Sequence, residues 1–324
     1  MNHEKLLGLT RLEYVSNWIP GLGRAVYRKI KGRNSFSMKR YNGSPILNGE
    51  KANIHLKKCL ENNQPFLAAR FGDGELRAVV CYIEKKLGFR KSYPDYIKVA
   101  LGRNAGFFPV SEENMDKFSQ LMIDSCRQVD VLAVWFNFLE DFVYRKFGPQ
   151  NGICVYLSAL EPFWYQNPWS IALKGKKVLV IHPFEETIKK QYSENMQRLY
   201  QDKNVLPLFT LQTLKAVQSI GGCSNEFDDW FDALDYMYRK AMTIDFEIAI
   251  IGCGAYGFPL AAKLKQAGKK VIHMGGVTQF LFGIKGARWD ARPAYADFYN
   301  EYWCRPSAED VPAVADKVEN GCYW

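Results

Sequence analysis

The sequence predicts an α/β fold: a mainly parallel sheet with helices on both faces. Three observations carry this. Short apolar or β-branched runs alternate with amphipathic stretches of helical period, several strand candidates read as continuous apolar runs rather than as alternating ones, and glycines cluster directly after them. At 324 residues and 48% hydrophobic, the chain can bury a sizeable core.

The strand candidates, in order, are 65–70, 130–136, 153–158, 176–182, 204–209, 246–252 and 269–274, each bounded by Gly, Pro, Asn or Asp. The helical candidates are 75–87, 112–127, 185–201, 226–243 and 257–268. The segment after about residue 290 is aromatic and punctuated by proline, and is expected to pack on the domain. The chain therefore divides into an N-terminal extension (1–50), an α/β unit (51–290) and a C-terminal tail (291–324).

The net charge of +9 is uneven: residues 1–50 hold nine Lys/Arg against three Glu, a surplus of +6, and the rest of the chain supplies only +3. The stretch NWIPGLGRAVYRKIKGRNSFSMKR interleaves these cations with Trp, Ile, Leu, Val and Tyr, a basic and partly amphipathic pattern that suits an anionic membrane surface. A plain solvated arm is the competing reading. No nucleic-acid motif accompanies the charge, so no nucleic-acid partner is expected. No run of about 18 uncharged apolar residues occurs and the N-terminus lacks the pattern of a secretory signal, so a cytoplasmic protein is expected, peripheral at the inner face of the membrane through its basic arm. The eight cysteines are scattered without a C-x-x-C pair, and with only four histidines they read as reduced, mostly buried thiols.

In a parallel sheet, ligands sit beyond the carboxyl ends of the strands. Those ends carry RFGDGE (70–75), His182 to Glu185, Gly252 to Gly257 and His273 to Gly276. Gly252, Gly254 and Gly257 have the G-x-G-x-x-G spacing between a strand and a helix, where a diphosphate could approach the backbone. NAD binding also calls for an acid about 20 residues on, at the end of the next strand. That strand ends His273-Met274-Gly275-Gly276, which disfavours a dehydrogenase and leaves a turn for any phosphate ligand, or for tight strand–helix packing. Neither a Walker A sequence nor a G-x-S-x-G elbow is present.

Asp73 and Glu75 admit three readings. They could serve as an acid/base pair, for which adjacent carboxylates on one segment are poorly spaced. They could cap the following helix. They could hold Mg²⁺ or Mn²⁺, which takes one or two carboxylates and leaves room for water and substrate phosphates. Arg70 could clamp a phosphate or pair with these acids.

RFGDGE, IHPFEETIKKQY, TLKAVQS, AIIGCGAYGFPLA, IHMGGVTQFLFGIKGARW and GCYW together resemble a bacterial family found with surface-polysaccharide biosynthesis, over nearly everything from about residue 60 onward. The DGE element resembles the D-x-E metal motif of the GT-D fold glycosyltransferases, formerly a domain of unknown function. The resemblance implies a Rossmann-like domain that binds a nucleotide-diphosphate sugar, with Asp73 and Glu75 holding Mn²⁺ or Mg²⁺ on the diphosphate. Gly252, Gly254, Ala255, Tyr256 and Gly257 would shape the nucleotide or acceptor side, or serve tight helix packing; His273, before Gly275 and Gly276, would contact phosphate or sugar, or be a satisfied core histidine; Lys285 and Arg288 would form an anion-binding loop, or a solvated basic turn. Lys215 and Gln218, on one face of a further helix, would reach the ligand. Glu161, His182 and Glu185 are the candidates for a general base. Trp164, Tyr165, Trp169 and Trp289 are candidates for stacking on sugar rings. The expected activity is metal-dependent transfer of a sugar to a surface-glycan or lipid-linked acceptor. An NAD-dependent sugar-modifying oxidoreductase and a non-catalytic nucleotide-sugar-binding protein are the alternatives.

Overall fold

A computed structural model describes residues 8–32, 37–41, 44–222, 226–312, 315 and 321–324. Nine strands form one sheet: β1 (Arg40–Tyr41), β2 (Ser44–Leu47), β3 (Phe66–Ala69), β4 (Val131–Val134), β5 (Ile153–Tyr156), β6 (Lys177–His182), β7 (Thr210–Lys215), β8 (Ile248–Ile251) and β9 (Lys270–His273). Their order is β1-β2-β5-β4-β3-β9-β8-β6-β7, and every pairing is parallel except β1 with β2.

The central strands β3, β4 and β8 are buried at every position, which is why they read as continuous apolar runs. Alternate residues feed two cores. Leu67, Ala69, Ala249 and Ile251 pack on one side, and Phe66, Ala68, Ile248 and Ile250 on the other. The first core is covered by α1 (Arg11–Lys31), α3 (Asp73–Lys86), α4 (Glu112–Cys126), α5 (Glu140–Phe147), α7 (Trp230–Met242) and α8 (Gly257–Gln266). The second is covered by α2 (Gly49–Glu61), α6 (Glu185–Leu199) and the aromatic segment that includes Trp289 and Trp303.

Helix starts follow local chemistry. Thr10, Ser111 and Asp229 each accept a hydrogen bond from the backbone N–H three residues on, opening α1, α4 and α7. Gly72 is the N-cap of α3, so Asp73 and Glu75 fall in the first helical turn, where acids complement the helix dipole.

One strand is displaced from its expected place. The run 204–209 is not a strand: Pro207 has no N–H to give a ladder, and Val205, Leu206 and Phe209 are buried from a loop instead. The strand is Thr210–Lys215, in register with β6 from Lys177↔Thr210 to His182↔Lys215. Its polar Thr, Gln and Lys suit an exposed sheet edge, while Leu214 and Leu211 pack on the first and second cores.

The N-terminal segment is part of the same body. Residues 40–47 supply two strands, and Ile46 pairs with Cys154 of β5, so the sheet begins before the expected boundary at residue 50. Helix α1 is tied down by Arg11 Nε donating to the Leu87 carbonyl (2.7 Å), Tyr14 Oη donating to Glu84 (2.7 Å), Lys146 paired with Glu13 (3.0 Å), and Arg24 paired with the buried Asp141. The tail packs against the second core, where Cys304 bridges to Ile284. The seven described cysteines form no disulfide; Cys223 lies outside the described residues.

Candidate functional site

Strands β3, β9, β8 and β6 are neighbours, and their carboxyl ends open into one cavity of about 230 Å³. It brings together Arg70, Asp73 and Glu75 after β3, Gly275 and Gly276 after β9, Gly252, Gly254 and Tyr256 after β8, and His182 at the end of β6.

Arg70 is the hinge of the arrangement. Its guanidinium lies over the Trp135 ring, with Cζ 4.6 Å from the centroid, and fills the space beside Gly275, where an added Cβ would come within 2.5 Å of Nη2. Gly275 has φ +69°, so both backbone and neighbour require glycine there. Burial pulls the Arg70 pKa down, and the nearby Glu75 carboxylate opposes the shift.

The two carboxylates are placed differently. The Glu75 side chain folds back over Gly72, where a Cβ would collide with it. Asp73 Oδ2 accepts a hydrogen bond from Arg77 Nε (2.9 Å) on the exposed face of the helix. Both still line the cavity. No group of three or more His, Cys, Asp or Glu side chains that could hold a metal occurs among the described residues. A divalent cation held here would have at most these two carboxylates from the protein and would take its remaining ligands from phosphates and water.

A second cavity of about 310 Å³ adjoins the first and shares Arg70, Asp73, Trp135, Gly276 and Arg288 with it. Beyond them lie Glu161, Arg292 and Tyr295. Glu161 is buried, and its Oε2 accepts from Trp164 Nε1 (2.6 Å) and Tyr295 Oη (2.7 Å). Burial raises its pKa, opposed by those two bonds and by Arg292 and Arg70.

The three candidate bases separate here. His182 is buried, and its Nδ1 accepts from the Phe184 N–H (3.0 Å), so the tautomer carries its proton on Nε2. Burial lowers its pKa to about 3, which makes it a neutral donor on the cavity wall and a poor base. Glu185 accepts from Thr213 Oγ1 (2.6 Å), pairs with Lys189 (3.2 Å) and does not line either cavity. Glu161 alone among them combines a raised pKa with a place on a cavity wall.

The other expected contacts lie partly on the cavity walls and partly away from them. His273 is buried beneath Gly257, where any Cβ would collide with its imidazole, and neither residue lines a cavity. Ala255 is also buried, its N–H donating to the Ala105 carbonyl (3.3 Å). Lys285 sits over the Tyr299 ring (5.0 Å), away from both cavities. Lys215 lies at the end of β7 rather than on a helix and approaches Asp310 (4.0 Å), whereas Gln218 does reach the first cavity. Trp169 is core, its Nε1 donating to the Ala159 carbonyl (3.1 Å). Arg288 does line both cavities and lies over the Tyr323 ring, 4.4 Å from Cζ to centroid.

Sequence reasoning assigned no role to Trp135, Gln279, Tyr323 or Trp324, all of which wall the first cavity. Gln279 is fully buried. Its Nε2 donates to the carbonyls of Lys285 and Tyr323, while Oε1 has no partner among the described residues.

No family model matches the chain, and no curated protein does. Two solved structures are similar to it. One is a selenomethionine-substituted domain of unknown function 1792, at TM-score 0.41 and 12% identity over 72% of this chain and 78% of that one. The other, a domain of unknown function 1792 described as having a distinct glycosyltransferase fold, gives TM-score 0.40 and 12% identity over 71% and 77%. At this overlap the likeness assigns no activity.

Proposed function

We propose that the chain is a metal-dependent glycosyltransferase that takes a nucleotide-diphosphate sugar in the first cavity and a surface-glycan or lipid-linked acceptor in the second. The observation that supports this best is the junction: Arg70, Asp73 and Arg288 belong to both cavities, with glycine turns on one side and the Glu161 carboxylate on the other. A group transferred between two ligands needs such a shared boundary.

On this reading Arg70 and Arg288 bind the diphosphate, helped by backbone N–H groups of the Gly254 and Gly275 turns, and the aromatic residues Tyr323 and Trp324 hold the base or ribose. Asp73 and Glu75 would hold a divalent cation, which supplies charge stabilisation for the departing diphosphate. The sugar carbon's bond to the diphosphate oxygen breaks with its electron pair going to that oxygen, and a new bond forms to the acceptor hydroxyl. Glu161 takes the hydroxyl proton, and burial, which raises its pKa, strengthens it as a base. His182 offers a neutral N–H to the ligand.

Thermal unfolding against UDP, GDP, dTDP, CMP and NAD, with and without Mn²⁺, tests the reading. A ligand at 100 times its dissociation constant adds about 2.7 kcal/mol. One nucleoside diphosphate should stabilise the wild type only with metal, and the double variant Asp73→Asn/Glu75→Gln should lose the effect. Metal-independent stabilisation by NAD would replace the transferase with an oxidoreductase. Metal-dependent binding without turnover of any donor would leave a nucleotide-sugar-binding protein.

A further inference from the structure

Helix α1 has two unlike faces. The inner face is fixed to the domain by Tyr14, Gly21, Arg24 and Arg28, the last donating to the Phe136 carbonyl (2.9 Å). The outer face is apolar. Leu12, Val15, Ile19, Leu22, Val26 and Ile30 recur at three- and four-residue steps, which places them in one stripe along the helix. They are exposed throughout, from 40% at Val15 to 81% at Leu12. A run of large apolar side chains this long and this exposed marks a docking surface rather than ordinary surface texture.

Charge selects the occupant. The only acid of α1, Glu13, turns inward to Lys146, so the outer face carries no negative group. Lys29 and Lys31 are exposed at the C-terminal end of the helix, and Lys39 is exposed where the chain enters the sheet. A second copy placed on this stripe would find no acid there to pair with those cations. An anionic lipid surface neutralises them while its acyl boundary takes the stripe. No helix among the described residues is long and apolar enough to cross a membrane.

We infer that α1 lies in the plane of an anionic bilayer, with the Leu12–Ile30 stripe sunk to the acyl boundary and Lys29 and Lys31 among the headgroups. This membrane contact is independent of the transferase reading, and the site residues are untouched by the test.

The test is co-flotation with phosphatidylcholine vesicles, made with or without phosphatidylglycerol, at low and high salt. The wild type should float with the anionic vesicles and be partly released by salt. Ile19→Glu/Leu22→Glu/Val26→Glu should lower partitioning about a hundredfold or more with an unchanged melting temperature, because each side chain is already in solvent. Leu208→Glu, at a residue 66% exposed elsewhere, should float like wild type. Lys29→Gln/Lys31→Gln removes charge and leaves the stripe, and should lower flotation with the anionic vesicles but not with the neutral ones; flotation on anionic vesicles equal to wild type overturns the role of the charge. Wild-type protein that stays in solution with all vesicles overturns the inference, as does a triple variant that still floats. A dimer in the absence of lipid, broken by the triple variant, would assign the stripe to a second copy instead.

Discussion

The guanidinium of Arg70 lies over the indole of Trp135, 4.6 Å from Cζ to the ring centroid, at the boundary shared by the two cavities. The ring fixes the plane of the fork, and a fixed fork can meet two phosphate oxygens at once. Arg70→Lys keeps the charge and loses both properties. It should weaken nucleoside diphosphate binding by about 10- to 100-fold, and Trp135→Ala by about 3- to 30-fold, measured by titration calorimetry. Equal affinities in wild type and Arg70→Lys would remove Arg70 from the anion site.

Glu161→Gln retains an acceptor for Trp164 and Tyr295 and removes the proton acceptor. Turnover should fall by about 10²- to 10⁴-fold with donor affinity nearly unchanged. Glu185→Gln, at a residue committed to Thr213 and Lys189, should leave turnover within about threefold of wild type, because it touches neither cavity. A reversal of these two results in a turnover assay would transfer the base role to Glu185.

The buried histidines make stability depend on pH. In the unfolded chain they take up protons below about pH 6.5, whereas His182 and His273 stay neutral in the fold down to about 3. The unfolded state therefore binds more protons across that window, and stability falls as pH falls, by about 1.4 kcal/mol per unit for each histidine. Above pH 6.5 neither contributes to the slope. Glu140, raised to about 8 by burial, acts in the opposite sense between its ordinary value and 8 and is common to both proteins compared. His182→Asn keeps an acceptor for the Phe184 N–H and cannot titrate. Its melting temperature should fall less than that of wild type between about pH 6.5 and 5. Parallel curves would mean that His182 is protonated in the fold.

Gly257 and His273 occupy one another's space. Gly257→Ala should cost about 1–3 kcal/mol by forcing the imidazole aside. Combined with His273→Ala, the loss should be smaller than the sum of the single losses, a coupling read from a urea-denaturation cycle. Additive losses would show that the two residues do not share that space.

Arg24→Ala leaves the Asp141 carboxylate, 3% exposed, without its cation. Destabilisation of about 3–5 kcal/mol is expected in denaturant unfolding, with α1 becoming the first site of protease cleavage. A loss below about 1 kcal/mol would mean that water reaches Asp141.

Most of the sheet was legible in the sequence because its strands are buried on both faces and flanked by glycine. β7 was not: the apolar run Asn204–Phe209 is the better strand by composition, but Pro207 breaks it and Thr210–Lys215, half polar, serves as the edge. β1, two residues long, carries too few for a period to show, and β2 opens on Ser44-Pro45, which reads as a turn. Of the site, the strand ends at Arg70, Asp73, Glu75, Gly254 and Gly275 could be read, since position after a strand is local information. His273 follows the same rule yet points under Gly257, because side-chain direction at a strand end depends on packing that no local pattern encodes. Trp135 reads as part of a strand running to residue 136, whereas β4 stops at Val134 and the loop beyond it is turned by left-handed Phe136 (φ 57°) and Leu139 (φ 59°).

The strand order has a consequence for how the molecule is made. β9 lies between β3 and β8, so the middle of the sheet is filled by a segment synthesised long after its neighbour. A nascent chain that has not yet delivered Lys270–His273 holds two half-sheets, each with a bare apolar edge open to pairing with other chains. Closing them needs contacts between residues as distant as Phe66 and Lys270, the kind that form slowly. The cleft has no floor until that closure occurs, so ligand binding reports on completion of the sheet as well as on the site itself.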